Sequence, residues 1–141
     1  MIDLSGKVAL VTGGSKNIGK AITLALTQAG SRVIITYKED AESAARMVLE
    51  SHLIYPPIQM DVTNPDSVQE AVIRVGESIG KLDILVNNAG MNKPNDFNNI
   101  ILSEWDEILD TNLRGPFIVS RMFWRLLVDN AAIVNYNPTK S

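Results

Sequence analysis

Short apolar runs alternate with amphipathic segments along this chain of 141 residues. Apolar runs suited to strands buried on both faces lie at 8–11, 32–37, about 58–60, 82–86 and 131–134. Strands that alternate with helices pair in parallel through right-handed crossovers. The pattern therefore predicts an α/β fold with a doubly wound parallel sheet, Rossmann-like and truncated after about five strands, in a single domain over residues 1–141.

The segments between these runs repeat apolar residues at helical spacing. The first predicted helix starts near Ile18 and is closed by Gly30, as is usual at a helix C-terminus. A second helix covers residues 41–50, and a third starts at Pro65 with Asn64 as its N-cap. Helices thus fill each gap between the first four strands.

A fourth helix is predicted before the last strand. Ser103 with Asp106 resembles a capping box in which Asp takes the place of the usual Glu. The helix is expected to run from Glu104 past Val119 toward Leu127.

Composition narrows the classes of partner. The net charge is −3 and the basic residues are scattered, which argues against nucleic acid or an anionic membrane surface. The chain has no cysteine, and its one histidine, His52, is interpreted as a solvated residue at a helix end, so we expect no metal site. No apolar run approaches membrane-spanning length and residues 1–7 show no apolar signal region, so we expect a cytoplasmic protein.

The turn over residues 12–19 lies where the first strand gives way to the first helix. Small residues there let backbone amides approach a pyrophosphate, and the helix N-terminus adds N–H donors and the positive end of its dipole. Asn17 stands where the usual fingerprint has a glycine, and asparagine tolerates positive φ. A purely structural turn is the alternative. The candidate cofactor-binding residues of this turn are Gly13, Ser15, Lys16, Asn17, Ile18 and Gly19.

Two further strands end in residues suited to a dinucleotide. In the strand order 3-2-1-4-5-6, the first and fourth strands are neighbours and their carboxyl ends form the ligand crevice. The fourth strand is followed by Asn88, Ala89 and Gly90, which can line the cofactor or form an ordinary polar turn. After the third strand come Asp61 and Val62, where the carboxylate either accepts from an adenine amino group or serves as an N-cap or Asx-turn.

Together these motifs resemble the short-chain dehydrogenase/reductase family, of the compact type and closest in character to 3-oxoacyl-carrier-protein reductases. The resemblance covers almost the whole chain. The matching motifs, in family order, are Thr12 to Gly19, Asp61-Val62, Asn88-Ala89-Gly90, Asn112 within Thr111-Asn112-Leu113, and Tyr136 with Lys140 as Y-x-x-x-K. An extended-type sugar-nucleotide epimerase fits less well, because its turn needs a glycine at Lys16.

The resemblance implies a hydride transfer between a nicotinamide cofactor and a carbonyl, with three catalytic residues. Tyr136 would exchange the proton, and because a phenol has a pKa near 10, it needs a nearby cation. Lys140, one helical turn on, would supply that charge and bind the nicotinamide ribose. Asn112 would help to hold a proton-relay water. A surface pair for Tyr136 and Lys140, and a helix-kinking role for Asn112, are the alternatives.

The end of the second strand predicts the cofactor. An acidic residue there would bind the 2′-hydroxyl of NAD, but this chain has Tyr37 followed by Lys38. With Lys16 in the turn, the two lysines favour NADP(H) over NAD(H), unless both are merely solvated. Glu39 and Asp40 lie close by and would weaken that preference.

The chain departs from the family where catalysis should be completed. The family's serine and its loop are absent, because Asn135 runs directly into Tyr136, and neither Ser120 nor Ser141 stands in the right position. We therefore expect this sequence to be an incomplete form of a longer reductase, and expect the 141 residues taken alone to be inactive. The alternative is a noncatalytic nucleotide-binding or regulatory module.

The resemblance also implies a partner of the same kind. Family members commonly form homo-oligomers, here a dimer or tetramer, through the helix that contains Asn112. Its large side chains either make that contact or pack in the core; they are Phe117, Met122, Phe123 and Trp124. The expected ligands are otherwise the cofactor and a small carbonyl or alcohol substrate.

Overall fold

A computed structural model describes residues 2–90 and 97–136 of the chain. The strands are β1 (Val8–Thr12), β2 (Arg32–Tyr37), β3 (Ile58–Gln59), β4 (Leu82–Asn87) and β5 (Leu127–Asn135). The α-helices are α1 (Asn17–Gln28), α2 (Ala41–Glu50), α3 (Pro65–Ser78), α4 (Leu102–Leu109) and α5 (Gly115–Phe123). A π-helical turn covers Asp110–Arg114, and 3-10 turns cover Phe97–Asn99 and Trp124–Leu126.

The five strands form one parallel sheet in the order β3-β2-β1-β4-β5. Every residue of β1 is buried, because helices cover both faces of the central strands and the strand is apolar on both sides. On one face Leu10 packs in a cluster with Val72 of α3 and Phe123 of α5. On the other, Val11 packs in a cluster with Met47 of α2. The predicted doubly wound sheet is confirmed.

Strand register brings the ends of three strands to one edge. Thr12 at the end of β1 is level with Thr36 of β2, and Val11 is level with Val86 of β4. Since all three strands run in the same direction, the turns that follow them lie side by side. The predicted N-cap of α3 is confirmed at this edge, where Asn64 Oδ1 accepts from the N–H of Asp66 at 3.0 Å.

The predicted fourth helix is wrong in its start and in its continuity. Helix α4 begins at Leu102, so Ser103 lies inside it, and the N–H of Ile101 donates to Glu104 Oε2 at 3.4 Å in place of a Ser103–Asp106 cap. The predicted continuous helix is divided by the π-helical turn. Proline at 116 supplies the reason, because its nitrogen has no hydrogen to donate to the carbonyl four residues earlier.

β5 is longer than residues 131–134. Its pairing with β4 shifts between Leu82↔Leu127 and Ile84↔Ala132, and Asn130 in the shifted segment has φ 65°. The strand therefore starts before the polar turn-like residues that masked it in the sequence. In α5, Phe123 is fully buried, whereas Phe117 of α5 and Trp124 of the following 3-10 turn are exposed by about two thirds.

The structure shows where the one histidine lies and how apolar the described helices are. His52 is exposed just after α2, with φ 53°, as the sequence predicts for a helix-end residue. Across residues 2–90 and 97–136, none of the helices combines the length and the apolar character that crossing a bilayer requires.

Candidate functional site

A cavity of about 400 Å³ opens at the sheet edge where β1, β2 and β4 end. Its walls come from the turns after these strands, from the residues after β3 and from the residue that follows β5. Thirteen of the predicted site residues line it: Gly13, Lys16, Asn17, Ile18, Gly19, Tyr37, Lys38, Asp61, Val62, Asn88, Ala89, Gly90 and Tyr136. Such a volume lies in the usual range for small-molecule sites.

Two predicted residues that the structure describes do not line the cavity, and a third, Lys140, cannot be placed against it. Ser15 lies in the turn but does not line it, and Asn112 lies in the π-helical turn, where its neighbour Thr111 reaches the cavity instead. A π-helical turn is a common interruption at functional positions. Lys140 lies outside the described residues.

The turn after β1 closes around two residues in the left-handed region. Gly13 has φ +65° and Asn17 has φ 49°, so Asn17 adopts the conformation expected of it at the place of a glycine. The N–H of Gly13 donates to the carbonyl of Thr36 at 3.0 Å, which ties the turn to β2. A Cβ on Gly19 would lie 2.0 Å from the oxygen of Gly13, so no side chain fits there. The backbone at Gly13 and Gly19 is therefore tightly packed, and no side chain separates it from the cavity.

Helix α1 differs from α2 and α3 at its N-terminus. Asp40 caps α2 and Asn64 caps α3 by accepting backbone N–H groups, whereas among the described residues no side chain caps α1. The first residues of α1 line the cavity. The first-turn N–H groups of a helix need acceptors, and a phosphate supplies them together with the charge that the helix dipole favours.

Thr12 and Asn88 fasten β4 to the turn. The hydroxyl of Thr12 accepts the N–H groups of Asn88 at 3.0 Å and Ala89 at 2.9 Å. The Asn88 amide donates to the carbonyls of Thr12 at 3.1 Å and Gly13 at 3.2 Å. Thr12 is 1% exposed, so these bonds are made away from solvent. Asn88 thus shapes the cavity by holding two strand ends together.

Asp61 forms an Asx-turn at the cavity wall. Its Oδ1 accepts from the N–H of Thr63 at 2.9 Å and from the Thr63 hydroxyl at 2.7 Å, which is the structural alternative that the sequence left open. Partial burial raises the pKa of the Asp61 carboxyl, but the two bonds from Thr63, aided by the charge of Lys38, outweigh it and hold that pKa below its usual value. The carboxylate therefore stays ionised beside the cavity.

The end of β2 carries the basic residues predicted for cofactor choice. Tyr37 and Lys38 line the cavity, with no carboxylate at the position of Tyr37. Lys16, from the turn after β1, places its Nζ 2.5 Å from Oδ2 of Asp40. That ion pair connects the turn after β1 with the turn after β2.

Tyr136 reaches the cavity from the end of β5. Its N–H donates to the carbonyl of Asn87 at 2.9 Å, which continues the strand pairing by one residue, and its side chain is 37% exposed. The Asn87 amide donates to Ser120 Oγ at 3.1 Å and to Asn135 Oδ1 at 2.8 Å, so polar side chains meet under this strand end. Tyr136 itself is not helical, and its predicted pairing with Lys140 lies outside the described residues.

Within the described part of the chain, four lining residues were not predicted: Thr36, Met60, Thr63 and Thr111. Thr36 pairs with Thr12 at the last position of the β1–β2 ladder, and Met60 directly follows β3. The strand-end rule that singled out Asn88 would have found both. Thr111 was not singled out, because it lies in the π-helical turn, where the sequence analysis predicted a continuous helix.

Comparison with known proteins gives a consistent result. A sequence profile described as short chain dehydrogenase matches residues 7–139. The chain is 39% identical over 139 residues to the short chain dehydrogenase pigC of Monascus ruber, a match that covers 91% of this chain and 45% of that protein. It is 39% identical over 114 residues to the 3-oxoacyl-(acyl-carrier-protein) reductase FabG of Staphylococcus epidermidis, covering 79% of this chain and 47% of the other.

Solved structures agree with the sequence matches. A short chain dehydrogenase from Burkholderia cenocepacia J2315 in complex with NADP superposes with a TM-score of 0.84 at 40% identity, over 92% of this chain and 54% of that chain. The chain spans about half the length of the curated relatives that it matches. The resemblance predicted from the turn and the strand ends is confirmed, and the chain belongs to the short-chain dehydrogenase/reductase family.

Proposed function

We propose that this chain forms the cofactor-binding part of an NADP(H)-dependent oxidoreductase that interconverts a carbonyl and a secondary alcohol. The observation that carries the proposal is one cavity lined both by the turn after β1 and by Tyr136. In the sheet order, Tyr37 ends β2 on one side of that turn and Tyr136 follows β5 on the other. A dinucleotide placed over the turn would extend toward both.

The residues present fit such a cofactor. The uncapped N-terminus of α1 faces the cavity beside Gly13, whose positive φ shapes the turn there. A pyrophosphate between them would accept the N–H groups that α1 leaves available. Asn88, Ala89 and Gly90 would then lie along the adjoining part of the molecule. The site would hold the cofactor mostly through backbone.

Tyr136 is the proposed acid and base. The chemistry that a bound nicotinamide cofactor supplies is transfer of a hydride to or from the substrate carbon. During reduction, the Tyr136 hydroxyl would donate its proton to the carbonyl oxygen, and Lys140 would stabilise the resulting phenolate. Asn112 would help to hold the water that returns the proton. These three roles rest on the family resemblance.

The proposed preference for NADP(H) rests on charge. Lys16 and Lys38 line the cavity and Tyr37 replaces the carboxylate that would repel a 2′-phosphate. Similar structures support the proposal, since the Burkholderia protein is in complex with NADP and a blue fluorescent protein from a metagenomic library is in complex with NADPH, at 32% identity and a TM-score of 0.84 over 93% of this chain and 55% of that one.

The substitution Tyr136→Phe tests the proposal. It is made in the form of the protein that turns over a carbonyl substrate. We expect carbonyl-dependent NADPH oxidation to fall by about 10²- to 10⁴-fold while NADPH binding is unchanged. Tyr55→Phe is the matched control, because the Tyr55 hydroxyl contacts Arg32 and lies away from the cavity. Equal rates in wild type and Tyr136→Phe would overturn the assignment of Tyr136.

A noncatalytic nucleotide-binding module is the second candidate. The observation that favours it is the direct passage from β5 into Tyr136, which leaves no serine between the strand and the tyrosine. Stoichiometric NADP⁺ binding without turnover of any carbonyl or alcohol in a broad panel would support this module. Turnover would support the oxidoreductase.

We also propose that the protein forms homo-oligomers. Support comes from Phe117 and Trp124, which leave about two thirds of their surface exposed on and just after α5. Large exposed aromatic side chains are typical of subunit contacts. Phe117→Ser is expected to shift the mass measured by light scattering toward the monomer, and a wild-type monomer at all concentrations would refute the proposal.

A further inference from the structure

The Lys16–Asp40 ion pair stands at the rim of the cavity, on two different turns. Lys16 precedes α1 and lines the cavity, whereas Asp40 precedes α2 and does not line it. The Lys16 ammonium and the Asp40 carboxylate are 2.5 Å apart, with side chains exposed by 55% and 40%. An exposed pair of this kind contributes little to stability. Its main effect is therefore on what can approach Lys16.

Asp40 is held in place independently of Lys16. Its Oδ1 accepts from the N–H of Ser43 at 3.0 Å and its Oδ2 accepts from the Ser43 hydroxyl at 2.8 Å. The N-terminus of α2 also favours a negative charge there. The hydrogen bond from Lys16, followed by those from Ser43, holds the pKa of the Asp40 carboxyl well below its usual range. A negative charge thus remains at this spot when Lys16 moves.

Glu39, the neighbouring acid, is placed differently. It lines an adjoining cavity with Gln59 and Arg74, next to β3 and α3. Sequence alone treated Glu39 and Asp40 as equivalent, but within the described residues it is Asp40 that forms an ion pair with a lysine of the main cavity. The carboxylate that a phosphate at Lys16 would meet is that of Asp40.

We propose that Asp40 is a specificity-determining residue, which weakens the preference for a 2′-phosphorylated cofactor by occupying Lys16 and by facing the incoming phosphate with its own charge. This inference rests on the proposed binding of NADP(H). NAD(H), with a 2′-hydroxyl, needs neither the release of Lys16 nor the approach of two like charges. Asp40 therefore affects one cofactor far more than the other.

The test is calorimetric titration of the full chain with NADP⁺ and with NAD⁺. Asp40→Asn removes the charge but keeps an oxygen for the N–H of Ser43, because asparagine is also a good N-cap. We expect the ratio of NADP⁺ to NAD⁺ affinity to rise about three- to tenfold, with most of the change in NADP⁺. Asp66→Asn, at an exposed acid in the first turn of α3, makes the same charge change away from the cavity.

The outcomes separate this inference from the proposal beneath it. An equal ratio in wild type, Asp40→Asn and Asp66→Asn, with both nucleotides bound, would overturn the role of Asp40. Absence of binding by either nucleotide would overturn the proposed function itself. In a Lys16→Met background, Asp40→Asn should still raise NADP⁺ affinity, but by less, because only the repulsion remains. An equal rise in NADP⁺ affinity on Asp40→Asn in the wild-type and Lys16→Met backgrounds would refute the claim that Asp40 competes with the phosphate for Lys16.

Discussion

The turn after β1 and the end of β5 contribute to the same cavity but differ in how they are held. β1 is buried at every residue and its turn is closed by the bonds of Gly13 to β2 and of Thr12 to the residues after β4. β5 has no buried residue, and within the described part of the chain Tyr136 is held by a backbone hydrogen bond to Asn87. The proposed phosphate site is thus built into the core, whereas the proposed proton donor sits on an exposed strand end.

This difference separates binding from catalysis. Backbone groups held by a buried strand need few particular side chains, so the proposed phosphate site is contained in one strand–turn–helix unit. A proton donor must instead be placed against the substrate to within a fraction of an ångström, which requires support from several elements. We expect changes at the turn to impair folding and binding together, and changes at Tyr136 to impair turnover alone.

Gly19→Ala should have the largest effect on stability. The new Cβ would lie 2.0 Å from the oxygen of Gly13 and 2.5 Å from Nδ2 of Asn88, so backbone has to move. We expect a loss of about 3 kcal/mol or more in the free energy of unfolding, measured by urea denaturation, together with loss of NADP⁺ binding. Gly76→Ala is the control, because its Cβ would meet Leu126 at an ordinary 3.6 Å in a helix. That variant should gain up to about 1 kcal/mol.

Thr12→Val should come next. The valine fills the same space but leaves the N–H groups of Asn88 and Ala89 without their buried acceptor. The expected cost is about 2–4 kcal/mol in thermal or urea unfolding, and Thr12→Ser should recover most of it. Thr27→Val, which loses only a hydroxyl bond to a carbonyl within α1, should cost less than about 1 kcal/mol. Similar losses for both threonines would contradict the fastening role of Thr12.

Truncating one valine to alanine in β1 and one in β5 compares the burial of the two strands directly. Val11→Ala removes two buried methyl groups between helices and should cost about 2–3 kcal/mol. Val134→Ala, at a side chain that is 48% exposed, should cost less than about 1 kcal/mol. Chemical denaturation of both variants gives the comparison. An equal cost would mean that β5 is covered as completely as β1.

Asp61→Asn should have the smallest effect and a distinct pH dependence. Because the pKa of Asp61 is lowered in the folded chain, its ionisation contributes stability above its usual pKa of 3.8, and that contribution is lost as the pH falls through the lower folded value. The wild type should therefore lose more stability than Asp61→Asn between about pH 5 and pH 2. Urea midpoints across that range measure it. Thr63→Val should reduce the same acid-dependent loss, and parallel curves for wild type and Asp61→Asn would oppose this account.

Local patterns predicted the parts of the fold that depend on local chemistry. The apolar runs at 8–11 and 82–86 identified the central strands, because strands buried on both faces leave a continuous apolar signal. The turn was recognisable because only small or left-handed residues suit it, as Gly13 and Asn17 show. The interruption before Gly115 was not predicted, because a proline marks a break in helical hydrogen bonding without fixing its form. Pro116 lies three residues after Leu113, and Thr111 lies in the interrupted turn and lines the cavity.

For the candidate site, the sequence identified residues but not their contacts. Asn88 was singled out for the cofactor, but its amide bonds to Thr12 and Gly13 became apparent only with the strands paired. Asp40 was a nearby acid in the sequence and became the partner of Lys16 only when two turns met across the β1–β2 edge. Contacts between turns that are distant in sequence depend on how neighbouring strands pair, and the local patterns used in the sequence analysis do not specify that register.

Titration of NADP⁺ into the full chain, alongside Gly19→Ala and Tyr136→Phe, tests the central claim most directly. We expect saturable binding at one site per chain in wild type, with a dissociation constant between about 1 μM and 1 mM, retained in Tyr136→Phe and lost in Gly19→Ala. Absence of saturable binding to a folded wild-type chain, or binding that survives Gly19→Ala, would contradict the claim that the turn after β1 holds the cofactor.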